Sequence, residues 1–138
     1  MTIYEEAEVC CGAVFEIRHD LHRCPELGHR EWETTKYIRR CLEEWGAEVL
    51  DLGFPTGVAA RIRGGGPGKL LALREDIDAL PILENTGLPF ASQIRGMSHA
   101  CGHDIHTAAL LGCAKLLLQH RKELRGDVLL VFQCGEET

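Results

Sequence analysis

The chain has 138 residues, with 45% hydrophobic and 26% charged side chains, which suits one globular domain with a core and argues against disorder. Lys and Arg number 15 against 21 Asp and Glu; the net charge of −6 comes with no basic stripe, which argues against nucleic acid as a partner. The apolar runs are broken, as by Lys115 within Ala108–Leu118, which argues against a membrane span, and Glu5, Glu6 and Glu8 are the opposite of a basic secretory leader.

The segment from Tyr4 to Arg23 has helical spacing, with Val9, Ala13, Ile17 and Leu21 on one stripe, and Cys24-Pro25 ends it. A second helix is predicted from Trp32 to Trp45, with Tyr37, Ile38, Cys41, Leu42 and Trp45 facing inward and Gly46 as its stop. Three apolar runs follow, at 48–52, 57–63 and 69–74, each predicted as a strand. The tract Gly64-Gly65-Gly66-Pro67-Gly68 between the last two is expected to be a hairpin loop. It is no phosphate loop, because Lys69 is followed by Leu70 rather than Ser or Thr.

From Asp76 to Gly102 the chain is rich in turn residues and too long for a plain connector, so it is expected to be functional. A helix is predicted to start near Asp104 or Ile105, with Asp104 as N-cap, and to run buried through Leu118. Residues 127–132 then form a strand whose continuous apolar run suits burial on both faces. Strand, long loop, buried helix and buried strand make the pattern of a layered α/β domain, where ligands gather at the carboxyl ends of strands. Seven cysteines with no paired spacing, in a chain with no export signal, predict mainly free thiols in a reducing cytoplasm. Cys10, Cys11, Cys41 and Cys113 read as small core hydrophobes.

Three constellations could carry chemistry. The first is Ser98-His99-Ala100-Cys101-Gly102-His103-Asp104-Ile105-His106, since thiolate and neutral imidazole are good ligands for zinc and similar divalent ions. A helix N-terminus there is expected to lower the Cys101 thiol pKa, and Gly102 lets both side chains reach one point. The second is Glu136-Glu137, which a turn at Gly135 can bring to one cleft as metal ligand and general base, or which can be a solvated acidic tail. The third is Asp76-Ile77-Asp78, whose alternation puts two carboxylates on one side, to bind metal, to orient a histidine or merely to start a turn.

Taken in order, Asp76-Ile77-Asp78-Ala79-Leu80-Pro81, Thr86-Gly87-Leu88-Pro89-Phe90, His99-Ala100-Cys101-Gly102-His103-Asp104 and Phe132-Gln133 with Glu136-Glu137 resemble the metal-dependent amidohydrolases that include aminoacylases, hippurate hydrolases and auxin-conjugate hydrolases. Leu21-His22-Arg23-Cys24-Pro25-Glu26-Leu27 and Thr56-Gly57-Val58 fit the same family. The resemblance implies a three-layer α/β/α, zinc-exopeptidase-like catalytic domain with a mixed sheet flanked by helices. Residues 1–138 would be its N-terminal portion, without the small dimerisation domain or the C-terminal part. It implies a divalent metal pair (Zn, Mn, Co or Ni) with Cys101, His103 and Glu137 as ligands, Glu136 as general base and Asp78 behind the ligands as a supporting catalytic residue. It implies hydrolysis of an amide bond in an N-acyl amino acid or peptide-like substrate, and a cytoplasmic homodimer with neither nucleic acid nor membrane as partner.

Two further histidine ligands would lie outside these residues, so the chain by itself is expected to be inactive. The competing readings are a truncated, non-catalytic remnant acting at most as a metal-binding or interaction fragment, and a cysteine-rich redox protein. The pattern departs from the family at Glu75, where a small residue is usual, at Cys24, at Ser98 and at Cys134-Gly135. Glu75 is expected to add a charge near the site.

Overall fold

The computed structural model describes all residues from Met1 to Thr138. Helix α1 spans Ile3–Arg23 and opens with a reciprocal cap, in which the Thr2 side chain accepts from Glu5 N–H and the Glu5 carboxylate accepts from Thr2 N–H at 2.7 Å. Its predicted stripe is shifted by one residue at the start. Val9 and Ala13 are exposed, whereas Cys10, Val14, Ile17 and Leu21 face the protein. The reason is α3, which packs closely at Gly112, where a β-carbon would lie 2.6 Å from Cγ2 of Val14.

Helix α2 spans Trp32–Glu44 and buries Thr34, Ile38, Cys41 and Leu42. Its first turn lacks a cap of its own and is held instead by Glu26, whose carboxylate accepts from the N–H groups of Glu33 and Thr34. Gly46, at φ +86°, ends it as expected.

The strands are β1 (Glu48–Leu50), β2 (Val58–Ile62), β3 (Leu71–Asp76) and β4 (Val128–Gln133), and α3 (His103–Gln119) lies between the last two. The sheet order is β1-β2-β4-β3, with β1–β2 and β2–β4 antiparallel and β3–β4 parallel. The α/β class therefore holds, as a mixed sheet flanked by helices. The glycine tract is not a hairpin, because β4 sits between β2 and β3. It crosses the entrance of β4 at backbone contact. A β-carbon on Gly64 would meet the Gly126 carbonyl oxygen at 1.9 Å, and one on Gly68 the Arg125 carbonyl oxygen at 2.4 Å. Glycine is required there by the close approach of two backbones.

One core joins Ile38, Cys41 and Leu42 of α2, Leu110, Leu111 and Ala114 of α3, and Val58, Ala60, Ile62, Val128, Leu130 and Phe132 of the sheet. Burial alternates along β4, so its apolar run is covered on one face, with Leu129 and Val131 half-exposed on the other. The expected two-sided burial of residues 127–132 is thus corrected within these residues. All seven cysteines are free thiols; Cys41 is buried, but Cys11 is exposed rather than in the core.

Candidate metal centre

The carboxyl ends of β3 and β4 and the N-terminus of α3 meet at one place, which is where a parallel strand pair leaves room for a site. Asp104 is not the cap of α3. The cap is Gly102 at φ +97°, a backbone that only glycine adopts easily, and the helix begins at His103. His103 is therefore buried in the first turn, with its ring held between the two strand ends. Its Nδ1–H donates to the Asp78 carbonyl oxygen at 2.8 Å. A carbonyl can only accept, so this bond fixes the tautomer in which Nε2 keeps its lone pair.

Around that Nε2 the remaining predicted residues gather. Glu136 Oε2 lies 3.8 Å away and Glu137 Oε1 4.0 Å away. Ligand atoms of Cys101, His103 and Glu137 all lie within 4.8 Å of one another, and so do those of Asp76, His103 and Glu136. The turn at Gly135 thus brings both glutamates to the same nitrogen of His103. Asp78 stands behind the cluster and is buried. Its Oδ2 accepts from Glu137 N–H at 2.8 Å, and its Oδ1 lies 3.3 Å from His103 Nδ1. One side chain therefore braces residues from both the helix and the β4 turn.

Two electrostatic expectations need correction. The Cys101 thiol is not lowered in pKa by the helix end. Its hydrogen bond to Glu137 and the charges of Glu137, Glu136 and Asp78 hold it above the ordinary thiol value. A cation, rather than the helix, is what would favour the thiolate. Glu75 is not a charge added to the site. It faces α3, where burial pushes its carboxyl up to about 9 against the lowering effect of the Thr107 hydroxyl, which donates to it at 3.0 Å.

Sequence reasoning missed the frame behind His103. Asp104 is fully buried, and its Oδ2 accepts from Arg18 Nε at 2.9 Å and sits 2.7 Å from His22 Nδ1. His22 Nε2 lies 3.1 Å from Glu84, whose carboxylate also accepts from the Thr86 hydroxyl and from Ser92 N–H. Burial acts to raise Glu84, but these three partners outweigh it and hold its carboxyl down to about 2. His99 is buried beside this frame, and burial pushes its imidazole down to about 4. The only signals for these roles were the adjacency of Asp104 to His103 and of His22 to the Pro25-Glu26 turn. Glu31 was also missed; it is fully buried, and its Oε1 accepts from Gly135 N–H at 2.8 Å.

Known proteins share this fold and sequence. Residues 72–138, which hold every candidate ligand, match peptidase family M20/M25/M40. The chain is 54% identical over 125 residues to an N-acetylcysteine deacetylase of Bacillus subtilis (strain 168), covering 90% of this chain and 33% of that protein. It is 46% identical over 125 residues to thermostable carboxypeptidase 1 of Saccharolobus solfataricus, covering 90% of this chain and 32% of that protein. Its structure superposes with a TM-score of 0.91 on a Bacillus subtilis protein described as a dinuclear metal-binding peptidase of the M20 family, at 52% identity, over 94% of this chain and 36% of that one. The chain is thus similar in sequence to proteins of this family, and its mixed sheet with flanking helices has the fold of the matched part of that peptidase. It spans about a third of the length of the curated relatives that it matches.

Proposed function

We propose that this chain supplies the base-bearing, metal-binding part of a metal-dependent amidohydrolase that cleaves the amide bond of an N-acyl amino acid or a similar peptide-like substrate. The observation that carries this reading is the convergence of Cys101, His103 and Glu137 within 4.8 Å. The donor set of thiol, imidazole and carboxylate suits zinc and its neighbours, and the bare Nε2 of His103 points a lone pair where an ion would sit. These residues fit one ion. Asp76 and Glu136 cluster with the same histidine and add two further carboxylates beside that ion. The neighbour described as dinuclear supports a metal pair for the whole protein, and the thiol, imidazole and carboxylate donors suit Zn, Mn, Co or Ni.

Bound divalent ions would supply an acidified water and a polarised amide carbonyl. Glu136, the more exposed of the two glutamates, takes the water's proton and hands it to the leaving amine. Asp78 keeps His103 and the Glu137 backbone in place through the bonds described above. Residues 1–138 act in this reading as the N-terminal portion of the catalytic domain of a cytoplasmic homodimer, with further ligands supplied by sequence beyond them. The chain alone is then inactive, though able to bind metal.

Metal titration of the chain, followed by N-acetylcysteine hydrolysis with the natural downstream sequence restored, tests the proposal. A Cys101→Ala, His103→Ala double variant should lose the metal, and Glu136→Gln should keep it while losing turnover. Metal content equal in wild type and double variant would sink the ligand assignment. Metal binding without turnover in the extended protein would favour a non-catalytic metal-binding fragment.

A further inference from the structure

The turn that carries Glu136 and Glu137 leans on a segment far away in sequence. Gly135 has φ +66°, and its N–H is held by Glu31. Just before Glu31, Gly28 and His29 press against the same turn. A β-carbon on Gly135 would lie 2.4 Å from Nε2 and 2.5 Å from Cε1 of His29, so the imidazole lies directly against the Gly135 backbone. A β-carbon on Gly28 would lie 2.8 Å from Cγ2 of Thr138 and 3.1 Å from the Gly135 α-carbon. Thr138 closes the turn by donating its hydroxyl to the Gly135 carbonyl at 3.1 Å.

His29 is also the one non-glycine residue with a left-handed backbone, at φ +62°. A left-handed backbone strains an ordinary residue and not glycine. His29 is the third residue of a turn closed by Arg30 N–H donating to the Leu27 carbonyl at 2.9 Å, the position at which a type II turn is left-handed. Gly or Asn would make that turn with less strain. What they would not supply is a ring against Gly135.

We propose that His29 is a positioning residue for the metal-binding turn: its imidazole, projected by a left-handed backbone, packs on Gly135 and sets the direction in which Glu136 and Glu137 leave β4. The effect on the backbone stands by itself, and the effect on metal affinity rests on the function proposed above. Glu31 restrains one edge of the turn by a hydrogen bond, and His29 restrains its face by contact. Neither acts on substrate; both act through the two glutamates.

Amide hydrogen exchange on the full chain tests this, with cobalt(II) titration as the second readout. In His29→Gly and His29→Asn the left-handed turn survives but the ring is gone. The Gly135 and Glu137 amides should then exchange roughly tenfold faster, while strand amides such as Leu130 keep their protection. Cobalt affinity should fall roughly tenfold, the size typical for loss of a group that orients ligands. His29→Phe retains a ring and should keep most of the protection. Unchanged exchange at both amides in the Gly and Asn variants would overturn the proposal. So would an equal loss at Leu130, which would mark a merely structural residue, or a loss in His29→Phe as large as in His29→Gly. If the wild-type chain takes up no cobalt, the metal assignment fails, and amide exchange still decides the role of His29.

Discussion

The two sides of His103 are built differently. Behind its ring, Asp78, Asp104, His22 and Glu84 are removed from water and tied to one another or to the backbone across α1, α3 and the long loop. In front of it, Cys101 and Glu136 are exposed to solvent. The contrast shows how a flexible-looking run of turn residues can hold a precise site. The geometry is stored in the dry frame, and the proposed metal ligands Cys101 and Glu137 stand on the other side of the ring. A substitution behind the ring should therefore be read out as stability, and one in front as chemistry.

The largest expected effect breaks the frame. Asp104→Ala leaves His22 and Arg18 facing a void and should destabilise the fold by about 3–5 kcal/mol, the range for removing one partner of a buried charged network. Urea denaturation measures it, and a loss under about 1 kcal/mol would show that Asp104 does not hold the frame. Asp78→Ala comes next, since it frees the Glu137 N–H and one side of the His103 ring. We expect about 1–3 kcal/mol of destabilisation and a metal affinity lower by roughly 10–100-fold.

Glu75 sharpens the comparison, because it is a buried acid with only a hydroxyl for company. Its folded pKa is raised to about 9, so the unfolded chain ionises first as pH rises. Stability is fully present below the ordinary carboxylate range and is lost progressively as pH climbs towards 9. Glu75→Gln should remove that slope and stabilise the chain by about 2–4 kcal/mol at pH 8, with little change at pH 4. Thermal melts at the two pH values compare them directly. Glu84 has the opposite sign. Its carboxyl is depressed to about 2, so its contribution is present above the ordinary value and is lost as pH falls towards 2. A Glu84→Gln variant should show a flatter acid-denaturation curve than wild type.

The smallest effect on stability should come from the front of the ring. Glu136→Gln should lie within about 0.5 kcal/mol of wild type in denaturation, as for other exposed positions. A large stability loss there would erase the distinction between the two sides of the ring.

Local pattern was enough for much of the molecule. The spacing of apolar residues located three helices and four strands to within a few residues, because helix and strand periods are properties of neighbouring positions. The motif residues Asp78, Cys101, His103, Glu136 and Glu137 were legible for a similar reason. Their side-chain chemistry is written in the sequence, and strand ends and helix starts are where α/β sites form.

Pairing between distant segments was not legible. The glycine tract suggested a hairpin, yet β4, which begins at Val128, far along the chain from the end of β2 at Ile62, takes the place beside it and forces the tract into a crossing. Burial of charge was hidden in the same way. Glu75, His99 and Asp104 look like surface residues in one dimension and become buried only when α3 lies down on β3 and α1 closes over α3. The sequence by itself determined which atoms can bind a metal and on which kinds of element they sit. Only the tertiary structure decided that they face one point, that Cys101 sits among carboxylates, and that Gly28–Glu31 grips the turn carrying Glu136 and Glu137. Those facts depend on contacts between residues far apart in the chain, and no local spacing encodes such distances.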